Sequence, residues 1–180
     1  MKEKIVETLL KLMNRLPYSK ISVKNICENV PISRTAFYHY FDNKEEIITY
    51  FIEQDFLKNC FPIFKFHLKE RGAQSFFSYL KEHKSFYIKL YQTDQGDLLY
   101  KCLKNAYHAA FERRKEFTLQ TQIKKTPINP EVFTQYSCSG LAAVVIYWIK
   151  NDMKIPEEVI AKELYLMMEA PLGVIRDCYL

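Results

Sequence analysis

Apolar residues along this chain recur at helical spacing almost throughout. Residues 2–16 place Ile5, Leu9, Leu12, Met13 and Leu16 on one face, and Lys4, Glu7, Lys11 and Asn14 on the other. Apolar positions three and four apart form the buried stripe of an amphipathic helix. Pro17 lies just past that stripe, where a helix stops. Ser22 precedes a short repeat of Val23, Ile26, Cys27 and Val30, and Pro31 closes it, because proline cannot continue a helix. Ser33 caps the next helix, predicted over Ser33–Tyr40, with Ala36, Phe37, Tyr40 and Phe41 facing inward. Ile32 before that cap and Phe37 after it have the spacing of a hydrophobic staple. Asn43, with Glu46 three residues on, reads as a capping box with Asn in place of Ser or Thr. It opens a helix through Ile47, Ile48, Phe51, Ile52 and Phe56 that ends before Pro62. No linker precedes this helix, so it should join what lies on either side rigidly.

Beyond Gly72 the pattern predicts helices near 73–83, 85–93 and 96–115, rich in Phe and Tyr. Residues 118–130 lose the periodicity and hold two prolines, which predicts a loop. Pro130 opens a helix to about Lys150 whose centre, Leu141 to Ile149, is apolar on all sides. Such a helix needs two surfaces to bury it. One is its own core. The other is a partner, on the side where Ser137, Ser139, Gly140 and Ala143 permit close approach. Pro156, Glu157 and Glu158 start a last helix to about Ala170, with acidic residues at the favourable end of the dipole. The fold class is therefore all-α, with an N-terminal three-helix unit over residues 1–45 and a helical domain over 46–180.

Composition adds little to this picture. The 180 residues carry 48% hydrophobic side chains and a net charge of +5, enough for a sizeable core and too mild to name a partner. The location of the charge is more informative. Lys2, Lys4, Lys11, Arg15, Lys20, Lys24, Arg34 and Lys44 crowd the first quarter, although solvated helix faces would read the same way. Five widely spaced cysteines with no C-x-x-C speak against a disulfide framework or zinc knuckle and for a reducing cytosol, so a cytoplasmic location is expected. No stretch approaches the ~18 apolar residues of a membrane span, so no membrane partner is expected. His67 with Glu70, and His108 with Glu112, each place two metal-ligand types on one helix face, but no third ligand accompanies either pair. No metal site and no cofactor are expected. Neither a phosphate-cradling glycine loop nor a G-x-S-x-G is present, so no enzyme is expected either.

Two short helices joined by a tight turn, with a third packed across them, make a helix-turn-helix unit. Its second helix would lie in the major groove, exposing Arg34, Thr35, Tyr38 and His39. Arg reads guanine bidentately, Thr offers a hydroxyl or a methyl, and a Tyr hydroxyl reaches phosphate. Helix N-termini attract phosphate, and Ser22, Lys24 and Lys44 lie at two of them.

The run from Ser22 to Ile48, containing Ile32-Ser33-Arg34-Thr35-Ala36-Phe37-Tyr38-His39-Tyr40-Phe41 and Lys44-Glu45, resembles the head of the tetracycline-repressor (TetR) family over residues 5 to about 50. The resemblance implies DNA contacts at Ser33, Arg34, Thr35, Tyr38, His39, Tyr40 and Lys44, with Tyr40 also fitting as a core residue. Two positions depart from the family pattern. Pro31 stands where the turn usually has Gly, and Ala36 where a Thr often contacts phosphate. Tyr79–Tyr91 and Tyr147–Met153 resemble the C-terminal domains of members related to dihydroxyacetone-kinase regulators. That resemblance implies a homodimer in which the last two helices form a four-helix bundle. We place the contact at Ser137, Gly140, Leu141, Val144, Trp148, Leu164 and Met168. The family also implies a double-stranded DNA operator, an unidentified small-molecule or protein effector, and repression as the usual outcome. The alternative is a coactivator answering to a partner protein. The aromatics Phe64, Phe76, Phe77, Tyr87, Tyr91, Tyr107 and Phe111 either line an effector pocket or form core; the sequence assigns no ligand-binding residue.

Overall fold

The computed structural model describes residues 1–59, 69–94, 96–118 and 129–169. The elements are α1 (Lys2–Arg15), a 3-10 turn (Tyr18–Lys20), α2 (Val23–Asn29), α3 (Arg34–Tyr38), α4 (Lys44–Asn59), α5 (Lys69–Glu82), α6 (Lys84–Asp94), α7 (Asp97–Thr118), α8 (Pro130–Lys150) and α9 (Glu157–Glu169). No strand occurs among the described residues.

Each helix of the head starts where a side chain can satisfy its free amides. The Ser22 hydroxyl accepts from Asn25 N–H, and the Asn25 side chain accepts from Ser22 N–H, a closed capping box. Ser33 Oγ accepts from Ala36 N–H at 3.1 Å. Asn43 Oδ1 accepts from Glu46 N–H at 2.8 Å, while the Glu46 carboxylate reaches Asp42 N–H, one residue before the expected cap. The stripes then meet in one core. Ile5 and Leu9 of α1, Ile26 of α2, Phe37 of α3 and Ile47 and Ile48 of α4 are all fully buried.

In the body, α5 lies along α9, and α7 packs on both α8 and α4. Thus α4 belongs to both halves, touching α1 on one side and α7 on the other. A second connection was not foreseen. Helix α6 also meets α1 and the 3-10 turn, and Lys89 Nζ donates to the Met13 carbonyl at 3.4 Å. The expected start of α5 after Gly72 is corrected, since Gly72 lies buried inside that helix. Packing of its neighbours outweighs the modest helix penalty of one glycine.

Helix α8 has the two faces its composition requires. Thr134, Cys138, Leu141, Ala142, Val145, Trp148 and Ile149 turn inward, while Val132, Phe133, Tyr136, Gly140, Ala143 and Tyr147 are exposed. Residues Glu131–Lys150 are long and apolar enough to cross a membrane by length and composition, contrary to expectation. The inward half of that apolarity is spent on the protein's own core.

The α8 C-terminus closes with Met153 N–H on the Trp148 carbonyl (2.8 Å) and Asp152 N–H on the Ile149 carbonyl (3.0 Å), the paired bonds of a Schellman motif. Asp152 and Met153 are both left-handed, with φ of 58° and 50°. Lys84 bonds both the Asp152 carboxylate (2.7 Å) and its carbonyl (2.8 Å). Lys81 Nζ donates to the Met153 carbonyl at 2.6 Å. Two cations thus face the negative end of the helix. Trp148 Nε1 donates to the Ile155 carbonyl at 2.8 Å, and its fully buried ring meets Phe77 edge-on at 5.2 Å.

Candidate nucleic-acid interface

The α2–α3 corner decides what the head can present. Here Ile32 N–H bonds the Val30 carbonyl at 2.6 Å across Pro31, an i to i+2 bond like that of an inverse γ-turn. That turn needs negative φ at its centre, which proline supplies. Among the described residues, positive φ occurs only at Gly96, Asp152 and Met153, so this corner has no left-handed residue. Pro31 therefore replaces glycine by changing the turn, as the departure from the family pattern required.

Helix α3 is a single short run, Arg34–Tyr38, ending two residues before the predicted boundary. Phe37 is its one fully buried side chain, meeting Tyr38 edge-on at 5.4 Å and Phe41 at 6.3 Å. This anchor leaves Ser33, Arg34, Thr35, Tyr38 and His39 exposed, while Tyr40 is half-buried against the core. The Tyr38 hydroxyl, one turn from Arg34, accepts from the guanidinium and raises it further above its ordinary value. Arg34, Thr35, Tyr38 and His39 thus gather on one open surface of donors, acceptors and positive charge. Such a surface can pair with base edges and phosphates in a groove.

The flanking residues differ from this set. Ser22 is exposed, but its hydroxyl is already engaged with Asn25. Lys24 is exposed and pairs loosely with Glu28 at 3.8 Å, a contact of little energy that leaves the ammonium free to exchange partners. Lys44, expected from the resemblance to contact DNA, is engaged within the protein. Its Nζ donates to the Tyr18 carbonyl (3.0 Å) and the Ile21 carbonyl (2.9 Å), and sits 4.2 Å from the Tyr18 ring centre. Lys2, counted above only as part of a cationic excess, lies over the rings of Phe41 (5.1 Å) and Tyr50 (5.2 Å) and ties α1 to the head core. Neither role shows in the apolar periodicity. Lys44 at the first position of α4 carried one clue, since a cation there opposes the helix dipole.

The body residues named from sequence separate into two groups. Leu141, Trp148 and Leu164 are buried in the protomer's own core and are not on its open face, which corrects their assignment to a partner contact. Gly140 is exposed with nothing within 4 Å of where a Cβ would stand, and Ser137 and Val144 are half-buried beside it. The Met168 side chain lies outside the described residues. The exposed large apolar residues of these helices are instead Val132, Phe133, Tyr136 and Tyr147 on α8, and Val159, Leu166 and Met167 on α9. Among the aromatics, Phe76, Phe77, Tyr87 and Tyr107 are core, with Phe76 touching Phe77 (5.4 Å) and Tyr107 (6.0 Å). Phe64 and His67 lie outside the described residues.

Residues 5–50 match the bacterial regulatory proteins of the tetR family, and residues 70–170 match a transcriptional regulator C-terminal region of the same group. The chain belongs to the TetR family. Among curated relatives, it is 23% identical over 173 residues to an uncharacterised HTH-type transcriptional regulator, YxbF, of Bacillus subtilis, covering 89% of this chain and 43% of the relative. It is 31% identical over 95 residues to the dhaKLM operon transcriptional activator DhaS of Lactococcus lactis, covering 52% and 51%. It is 30% identical over 100 residues to the biofilm operon icaADBC negative transcriptional regulator IcaR of Staphylococcus epidermidis, covering 51% of each. The chain spans about half the length, or less, of these relatives. The solved structure of a dihydroxyacetone kinase operon activator DhaS shares the fold, with a TM-score of 0.60 at 19% identity, over 97% of this chain and 96% of that one. The chain thus has the helical fold of a family of DNA-binding transcription regulators whose members typically act as dimers.

Proposed function

We propose that this chain is a homodimeric, cytoplasmic regulator whose head, residues 1–45, reads an operator through Arg34, Thr35, Tyr38 and His39, and whose body, residues 46–180, takes an effector. The observation that carries the reading is α3 itself. One buried anchor, Phe37, holds it to the core, and its remaining polar side chains face outward together. Dimerisation is supported by the large apolar side chains that α8 and α9 leave exposed, Phe133, Tyr136, Tyr147, Leu166 and Met167. Helix α4, and with it α6, joins body to head and supports coupling of effector to operator.

The sign of regulation divides the relatives. IcaR is a negative regulator and supports repression; DhaS is an activator and supports the opposite outcome. Repression is the reading preferred here, and transcription from a reporter carrying the recovered site separates the two. The DNA-reading function itself is tested by presenting the chain with a pool of random duplexes. The expected product is a shared motif in two half-sites, about 34–36 Å or a multiple apart. Recovered duplexes without a common motif contradict the proposal.

A further inference from the structure

Resting on the DNA-reading function above, we propose that Lys44 is a positioning residue for DNA binding: it fixes the connector between α1 and α2, and so the approach of the α2 N-terminus to the duplex, without touching phosphate. The ammonium is fully occupied within the protein. It gives two protons to the carbonyls of Tyr18 and Ile21 and turns its remaining side to the Tyr18 ring. Charge-assisted bonds of this kind are about twice as strong as neutral ones. The ring contact adds to them where water is partly excluded, and Tyr18 is buried.

The two carbonyls bracket the 3-10 turn. Tyr18 O also accepts from Ile21 N–H (3.0 Å), and Pro17 O accepts from Lys20 N–H (2.9 Å). Ile21 directly precedes Ser22, the cap of α2. One cation at the start of α4 therefore sets where α2 begins. Its position at the unfavourable end of the α4 dipole makes sense on this account, because its charge is used by the connector and not by its own helix. A lysine committed to phosphate would have to abandon both carbonyls on reaching DNA. Tyr18 O would keep its bond from Ile21 N–H, but the Ile21 carbonyl would lose the lysine donor, and an unmet carbonyl is costly where water is partly excluded.

The test compares the parent with Lys44→Met, which keeps the stem and removes the charge. Lys44→Gln, with a shorter neutral donor, is the second variant should the first fail to fold. The probe is a duplex enriched by the parent from a random pool, with affinity followed as salt is raised. The account expects affinity to fall about tenfold at every salt concentration, the scale of losing charge-assisted bonds, with the slope of log affinity against log salt unchanged. It also expects amide hydrogen exchange at Lys20 and Ile21 to accelerate in the DNA-free protein. A phosphate contact instead lowers the slope by about 0.9 for each head. A lower slope, an unchanged affinity, or unchanged protection at Lys20 and Ile21 overturns the proposal. The exchange measurement reads the clamp without DNA, so failure of the clamp and failure of DNA reading are told apart.

Discussion

The two helix corners of this molecule solve one problem in opposite ways. At the α2–α3 corner every residue stays at negative φ, and Pro31 sets the bend with one short backbone bond. At the α8–α9 corner two consecutive non-glycine residues, Asp152 and Met153, adopt left-handed backbone. Single left-handed residues of this kind cost of order 1–3 kcal/mol and persist only when their surroundings over-determine them. Here the surroundings are Lys81 and Lys84, about seventy residues earlier in the chain. The first corner is a local property of five or six residues. The second exists only because the body has folded around it. A corner that must present a fixed surface to DNA can be rigid by itself; the corner that joins α8 to α9 is tied to the rest of the body.

The comparison can be broken most severely at Trp148. Its ring is fully buried and its indole N–H holds the Ile155 carbonyl just past the corner. Trp148→Ala should cost about 3–5 kcal/mol in denaturant unfolding, the range for deleting a large core aromatic. A loss under about 1 kcal/mol would mean the corner does not depend on the core beneath it.

A smaller effect is expected at Asp152. Asp152→Ala removes the Lys84 partner and leaves the left-handed backbone unrelieved, so it should lower the melting temperature. Asp152→Gly also loses the partner but relieves the backbone, and should recover part of the loss. Equal melting temperatures for the two variants would show that no strain is held there. The Lys84 hydrogen bond also pulls the Asp152 carboxyl below its ordinary value. A depressed folded value means the contribution is present above the unfolded carboxylate pKa of about 3.9 and is lost as pH falls through the lower folded value. Asp152→Asn should remove that acid-side dependence, as read by unfolding at stepped pH.

The smallest change is expected at Pro31. Pro31→Gly should cost only ~0.4–1 kcal/mol, chiefly by loosening the unfolded chain. It should leave DNA affinity nearly intact, because the turn is closed by backbone atoms. A large loss of affinity would show that proline does more than set φ.

The same contrast explains what could be read from sequence. The head was legible because its signals are local. Ser22, Ser33 and Asn43 cap helices within three residues of themselves, and Phe37 is the apolar residue of a short polar stretch. The end of α3 was overrun by two residues, since Tyr40 keeps helical spacing although the helix ends at Tyr38 with His39 as its cap. The body was legible as helices but not as an interface. Helix α8 is apolar all round, so its sequence does not say which side faces home; Trp148 and Leu141 went inward and Tyr136 and Tyr147 outward. The lysine contacts were invisible, because Lys44, Lys81 and Lys84 meet partners 23 to 72 residues away. One local signal of that corner went unread: Asp152 follows a long helix, and Asp tolerates left-handed backbone better than most residues.

The account stands on α3 as the reading surface, and one substitution tests it most directly. The Arg34 side chain is exposed, so Arg34→Ala should leave thermal unfolding close to that of the parent. Affinity for a duplex enriched by the parent should fall about tenfold or more, with weakened discrimination at one base pair of each half-site. Unchanged affinity and unchanged base preference, in a variant that folds as the parent does, would contradict the assignment of base reading to this helix.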